Sequence, residues 1–202
     1  MTRSRKRNRI GIFGGSFDPP HLGHLIAAEV ARQASSLDAV IFVPAFQPPH
    51  KLRTSSARPA QRMEMTRLAV RGNRCFSVSD YEIRRGGISF TVDTLRALVE
   101  RHPSSEFSLI IGADSFVEFS SWKSPDEIIR MAGLLVYPRT GYERPSTGMS
   151  LPPAEFLRAP VIDLSSSMIR RRVREGLSVR YLVPVPVERY IQTRKLYRAD
   201  PA

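Results

Sequence analysis

Cysteine is almost absent: Cys75 is the only one in 202 residues. That excludes an intrachain disulfide and a cysteine metal cage. No apolar run reaches the roughly 18 residues of a membrane span. No basic segment feeding an apolar stretch and a cleavage site opens the chain, because Arg9 leads straight into the first strand pattern. These absences set the expectation of a soluble, cytoplasmic protein without a membrane partner. The two familiar phosphate loops are missing as well. The glycine spacing is not G-x-G-x-x-G, and no Gly-Lys-Ser/Thr follows as a P-loop requires. Acidic residues are short: 31 Lys and Arg face 19 Asp and Glu, a formal charge of +12. Such a balance favours anionic partners, nucleotides or nucleic acid. Part of it sits in Arg3, Arg5, Lys6, Arg7 and Arg9, and part in Arg170, Arg171, Arg172 and Arg174. With no RNA-binding aromatic motif and no zinc-finger spacing, no specific nucleic-acid partner is expected.

What the chain does contain is the run Gly14-Gly15-Ser16-Phe17-Asp18-Pro19-Pro20-His21-Leu22-Gly23-His24. It joins the apolar Ile10-Gly11-Ile12-Phe13 to an amphipathic stretch that begins at Leu25. As strand, turn and helix it aims His21 and His24 at one small volume, because residues three apart share a helix face. Asp18 is the expected cap of the helix, with the two prolines pre-setting its first turn. A helix start presents free N–H groups and the positive end of a dipole. Gly14 and Gly15 let backbone approach a ligand with no Cβ in the way. Alone, a Gly-Gly pair is an ordinary turn and His-x-x-His an exposed helix face. Placed together between strand and helix, they form the parts of a phosphate site.

The remaining pattern alternates. Ala39–Val43 is a continuous apolar run suited to a strand buried on both faces. A Pro- and Gln-rich loop, 44–59, precedes a helical pattern through Met63, Leu68 and Val70. Phe76–Ile83 alternates like a strand. Thr91–Val99 is helical, with Thr91 as N-cap and Asp93 in its first turn. Phe107–Ile111 is a buried strand ending at Gly112. Ser124-Pro125-Asp126-Glu127 has the form of a capping box with proline at the first helical position. Gly133–Tyr137 is a strand, 140–153 a surface excursion, and Val161–Leu164 a last short strand. Helices from about Ser166 and Val187 complete the chain. This order implies an α/β, Rossmann-like, doubly wound and mainly parallel sheet with helices on both faces. It would form one domain over residues 9–198, behind a flexible basic arm of residues 1–8.

In such folds ligands sit beyond the carboxyl ends of the strands, at a switch in strand order. Three polar motifs follow strands there: the glycine–histidine box, Gly112-Ala113-Asp114, and Ser165-Ser166-Ser167 with Arg170. The serine cluster reads as a helix cap, or as hydroxyls and N–H groups holding phosphate with Arg170 adding charge. Pro48-Pro49-His50-Lys51 lies in a loop long enough to fold over a substrate. Two or three histidines also raise zinc, which takes three or four protein ligands. Phosphate accounts for the glycines and serines too; zinc does not, so no protein metal site is expected.

The His-x-Gly-His box resembles the defining element of the nucleotidylyltransferase superfamily. The fuller Gly-Gly-Ser-Phe-Asp-Pro-Pro-His form is similar to the bacterial nicotinate-mononucleotide adenylyltransferases. The resemblance runs from Arg9 to Tyr197. It implies AMP transfer from ATP to nicotinate mononucleotide, with Mg²⁺ carried by ATP. His21, His24, Lys51 and Arg170 would then be catalytic. Gly14, Gly15, Ser16, Phe17, Gly112, Asp114, Ser165, Ser166 and Ser167 would bind ATP beside them, with Ser167 standing where the family has threonine. His50, Lys51, Thr91, Trp122 and Arg139 would bind the mononucleotide, Trp122 stacking on the pyridine and Thr91 meeting its carboxylate. Phe90 replaces a family tyrosine. The box is shared across the superfamily, so nicotinamide mononucleotide or phosphopantetheine remain alternative acceptors, and a basic nucleic-acid-binding protein a third class. A homo-oligomer is compatible with the sequence.

Overall fold

The computed structural model describes residues 7–49, 57–142 and 152–198. Six strands, all parallel, form one sheet in the order β3-β2-β1-β4-β5-β6. They are β1 (Asn8–Gly15), β2 (Ala39–Pro44), β3 (Phe76–Val78), β4 (Ser105–Gly112), β5 (Ala132–Tyr137) and β6 (Glu155–Phe156). The chain first winds outward through α1 (Leu22–Ala34) and α2 (Pro59–Val70). It returns through α3 (Tyr81–Arg85) and α4 (Thr91–Arg101) to lay β4 against the other side of β1. The switch point therefore lies between β1 and β4, where parallel sheets open a crevice at their carboxyl ends.

Strand alternation divides the core. Ile10, Ile12, Leu109, Ile111, Leu134 and Val136 join Val92 and Leu95 of α4 on one face. Phe42, Ile110 and Leu135 join Ala28 and Ala31 of α1 on the other. A Cβ on Gly11 would lie 2.8 Å from the Leu37 side chain and 3.0 Å from that of Ile110, so a larger residue there would have to push these core side chains aside. After α5 (Ala113–Val117), α6 (Pro125–Met131) and β5, the chain ends in α7 (Ser166–Arg174) and α8 (Val185–Thr193). These pack with α2 in a third cluster around Met65, Ile169 and Val187.

Several local expectations change. α1 starts at Leu22 with His21 as N-cap, so Asp18 is no cap and both prolines precede the helix. The strand after Phe76 stops at Val78, because the Ser79–Asp80 turn opens α3 instead. Thr91 is the first helical residue and Phe90 the N-cap. No capping box forms at Ser124, whose φ is 53°; the Glu127 carboxylate instead grips the Arg96 guanidinium with two 2.6 Å bonds. Val161–Leu164 is not a strand: Val161 is exposed while Leu164 drops into the α7–α8 cluster, and the sixth strand comes earlier, at Glu155–Phe156. β1 begins at Asn8, inside the stretch expected to be the basic arm. Arg3, Arg5, Lys6, His50 and Lys51 lie outside the described residues.

Candidate active site

The loop between β1 and α1 is held from four directions. The Ser16 carbonyl accepts from Arg62 Nη1 at 2.7 Å, and the same guanidinium donates to the Phe46 carbonyl at 2.9 Å. The Asp18 carbonyl accepts from Arg170 Nη1 and the Pro19 carbonyl from the Ser166 hydroxyl, both at 2.8 Å. The Asp18 carboxylate is buried, accepting from the Tyr197 hydroxyl at 2.7 Å and from the Ala57 N–H at 3.3 Å. Burial pushes the Tyr197 phenol well above its ordinary range, and the neighbouring Asp18 adds to this, so it remains a donor. Within the loop Phe17 takes a left-handed φ of 47° and packs its ring edge-on against His24, centroids 5.1 Å apart.

The two histidines come together as expected. Their rings stack with centroids 3.6 Å apart and planes 27° apart. The His21 backbone N–H donates to His24 Nδ1 at 3.1 Å, which leaves the neutral His24 proton on Nε2. His21 is 2% exposed. Burial, with the Arg139 charge adding to it, lowers its pKa to about 3. It is therefore a neutral hydrogen-bonding group near pH 7. Its Nδ1 and the Nε of Arg139 are buried with no hydrogen-bond partner among the described residues. Both belong to one cavity of about 580 Å³, where such unpaired groups are costly until something polar arrives.

Gly14, Gly15, Ser16, Phe17, Gly112, Asp114, the three serines and Arg170 line that same cavity. A Cβ on Gly112 would sit 2.2 Å from Asp114 Oδ1, so glycine is required for the carboxylate to turn back here. Arg139 Nε stands 4.0 Å from that oxygen. Expected with the mononucleotide, Arg139 lies beside His21 instead. The serine hydroxyls are already engaged: Ser165 caps α7 by accepting from the Met168 N–H at 3.1 Å, Ser166 holds Pro19, and Ser167 accepts from Arg170 Nη2 at 3.1 Å. Their first work is to build the loop and fix Arg170.

A second cavity, of about 570 Å³, adjoins the first and shares Gly14, Gly15, Ser16, Asp114 and Trp122 with it. Thr91, Phe90, Glu82, Pro48 and Pro49 line its far wall. Trp122 leans on Phe119 of the core, centroids 5.3 Å apart, and Lys123 Nζ stands 4.5 Å over the Phe90 ring. The sequence reading assigned no part to Arg62, Tyr197 or Glu82. Arg62 carried a signal: with Met65 and Ala69 it falls on the buried stripe of α2, where an arginine needs buried acceptors. Tyr197 follows the last helix and carries none.

A family model described as cytidylyltransferase-like matches residues 12–172. A protein of Salinibacter ruber named probable nicotinate-nucleotide adenylyltransferase is 43% identical over 190 residues, covering 94% of this chain and 97% of its own. One of the same name from Thermus thermophilus is 45% identical, over 94% and 100%. The solved nicotinic acid mononucleotide adenylyltransferase of Plasmodium falciparum, complexed with NaAD, superposes with a TM-score of 0.80 at 18% identity, over 95% and 98%; at that identity it speaks for the fold. The glycine–histidine loop, the parallel sheet and matches of this extent together place the chain in the cytidylyltransferase-like family.

Proposed function

We propose that this enzyme transfers the adenylyl group of ATP to nicotinate mononucleotide, giving nicotinate adenine dinucleotide and pyrophosphate. The observation that carries the reading is the pair of adjoining cavities that meet over Gly14–Ser16, one lined by histidines and arginines and the other by Trp122 and the start of α4. A phosphate oxygen of the mononucleotide attacks the α-phosphorus of ATP. A new P–O bond forms there, the bond to the β-phosphate oxygen breaks, and pyrophosphate leaves with that electron pair. The attacking oxygen is already ionised at neutral pH, so no general base is called for. The protein's task is alignment and charge stabilisation.

His21 and His24 donate hydrogen bonds to the ATP phosphates, while Arg170 and Arg139 supply positive charge. Gly14 and Gly15 let the chain approach the α-phosphate. Asp114 meets the ribose. Trp122 stacks on the pyridine ring, and Thr91, at the positive end of α4, faces its carboxylate. His50 and Lys51 are assigned to the mononucleotide phosphate by the family resemblance alone. Magnesium carried by ATP would screen the phosphates. Among the described residues no group of three His, Cys, Asp or Glu could hold a metal, and of the cavity's aspartates Asp18 is engaged by Tyr197 while Asp114 and Asp163 also line the wall. That donor set fits an ion held chiefly by phosphate and water. No described helix is long and apolar enough to cross a membrane; the reaction is assigned to the cytoplasm, where ATP is supplied.

The test is to incubate the protein with ATP, Mg²⁺ and nicotinate mononucleotide and to identify the product by chromatography and mass. One dinucleotide per pyrophosphate is expected, with His24→Ala slower by about 10²–10³. A His24→Ala enzyme of full turnover would remove that histidine from the mechanism.

A further inference from the structure

Glu82 is a carboxyl group on the wall of the Trp122 cavity, yet only 6% exposed. It comes from the short α3, and its two partners flank the start of α4. The Thr94 hydroxyl donates to Oε1, and the Ser89 hydroxyl makes a second bond. Ser89 is itself fixed, since its oxygen accepts from the Phe46 N–H at 2.9 Å and its backbone N–H donates to the Gln47 carbonyl at 2.9 Å. Phe46 in turn gives its carbonyl to Arg62. Glu82 thus clamps both sides of Phe90–Thr91, the point at which α4 opens toward the cavity.

Resting on the proposed reaction, we infer that Glu82 is a positioning residue that makes the cavity distinguish the acid mononucleotide from its amide, by fixing the first turn of α4. The two substrates differ in one group. A carboxylate accepts only, whereas a carboxamide also donates two N–H bonds. The bonds from Thr94 and Ser89 tie Glu82 to the first turn of α4, and the N–H groups that open that helix suit the carboxylate. Burial favours the neutral carboxyl, while the two hydroxyls and the Arg85 and Arg62 cations favour the charged one. The proposal needs only the bonds to Thr94 and Ser89.

The experiment measures kcat/KM for nicotinate and nicotinamide mononucleotides, and KM for ATP, in wild type, Glu82→Ala, Glu82→Gln and Thr94→Val. The acid-to-amide ratio should fall about tenfold or more in Glu82→Ala and Thr94→Val, the effect of one hydrogen bond to a charged group. KM for ATP should stay within about threefold, and Glu82→Gln, which keeps an acceptor oxygen, should recover most of the ratio. A merely structural carboxyl would lower thermal stability and leave the ratio alone. Should Glu82→Ala not fold, Thr94→Val still decides. Active, folded variants with the wild-type ratio overturn this inference alone. A wild type that makes no dinucleotide from either mononucleotide overturns the reaction and this inference together.

Discussion

His21 and the two glycines before it show how much depends on single positions. A histidine held neutral to about pH 3 in the fold, against 6.5 when free, binds fewer protons than its unfolded form between those values. Its contribution to stability is thus full above pH 6.5 and lost as pH falls toward 3, at about 1.4 kcal/mol per pH unit at most. Urea unfolding at pH 7 and pH 4.5 should show a steeper loss in wild type than in His21→Asn; equal losses would mean that His21 is not desolvated as described. Gly14 and Gly15 are distinguishable by the same kind of measurement. A Cβ on Gly14 meets nothing within 4 Å and would stand in the cavity, whereas one on Gly15 lies 3.0 Å from the Phe17 ring. Gly14→Ala should keep its stability and raise KM for ATP several-fold. Gly15→Ala should lose about 1–3 kcal/mol of unfolding free energy.

The elements that hold the site differ in how plainly the sequence announces them. The loop from Gly14 to His24 was legible because its residue types are chemically specific and it follows an apolar run. The two histidines stack although His21 is the extended N-cap and not a helical residue, its backbone N–H donating to His24 Nδ1. The roles of Ser165 and Ser166 were only half legible: both meet the cavity, but their hydroxyls serve the α7 cap and Pro19. Arg62 and Tyr197 were missed because each acts across a long separation in sequence, on Ser16 and Asp18 respectively. Local signals failed where tertiary contacts compete with them. Glu127 found Arg96 in place of its own helix start, and Asp18 found Tyr197 in place of α1. Tyr197→Phe tests that last contact. It leaves a buried carboxylate one donor short and should cost about 1–3 kcal/mol, read by urea unfolding, with slower turnover as the β1–α1 loop loosens. A variant of unchanged stability would show that the hydroxyl does not tie the chain end to the loop.

Across the whole molecule, alternation of strand and helix patterns gives the parallel α/β class, but not the strand order. Nothing local to Phe107–Ile111 says that β4 lies beside β1 and not beyond β3; that pairing emerges from burial on both faces of the sheet. It matters because the β1–β4 switch point brings Gly14 and Gly112 to one crevice, with α7 closing it from the far end of the sequence. The two-cavity arrangement that results is the central claim, one side for ATP and one for a pyridine mononucleotide. The most direct test is pyrophosphate release from ATP and Mg²⁺ with nicotinate mononucleotide or its amide at equal concentration. The account predicts rapid release with the acid and much slower release with the amide. No release with either, or release only with a non-pyridine phosphate acceptor, would contradict it.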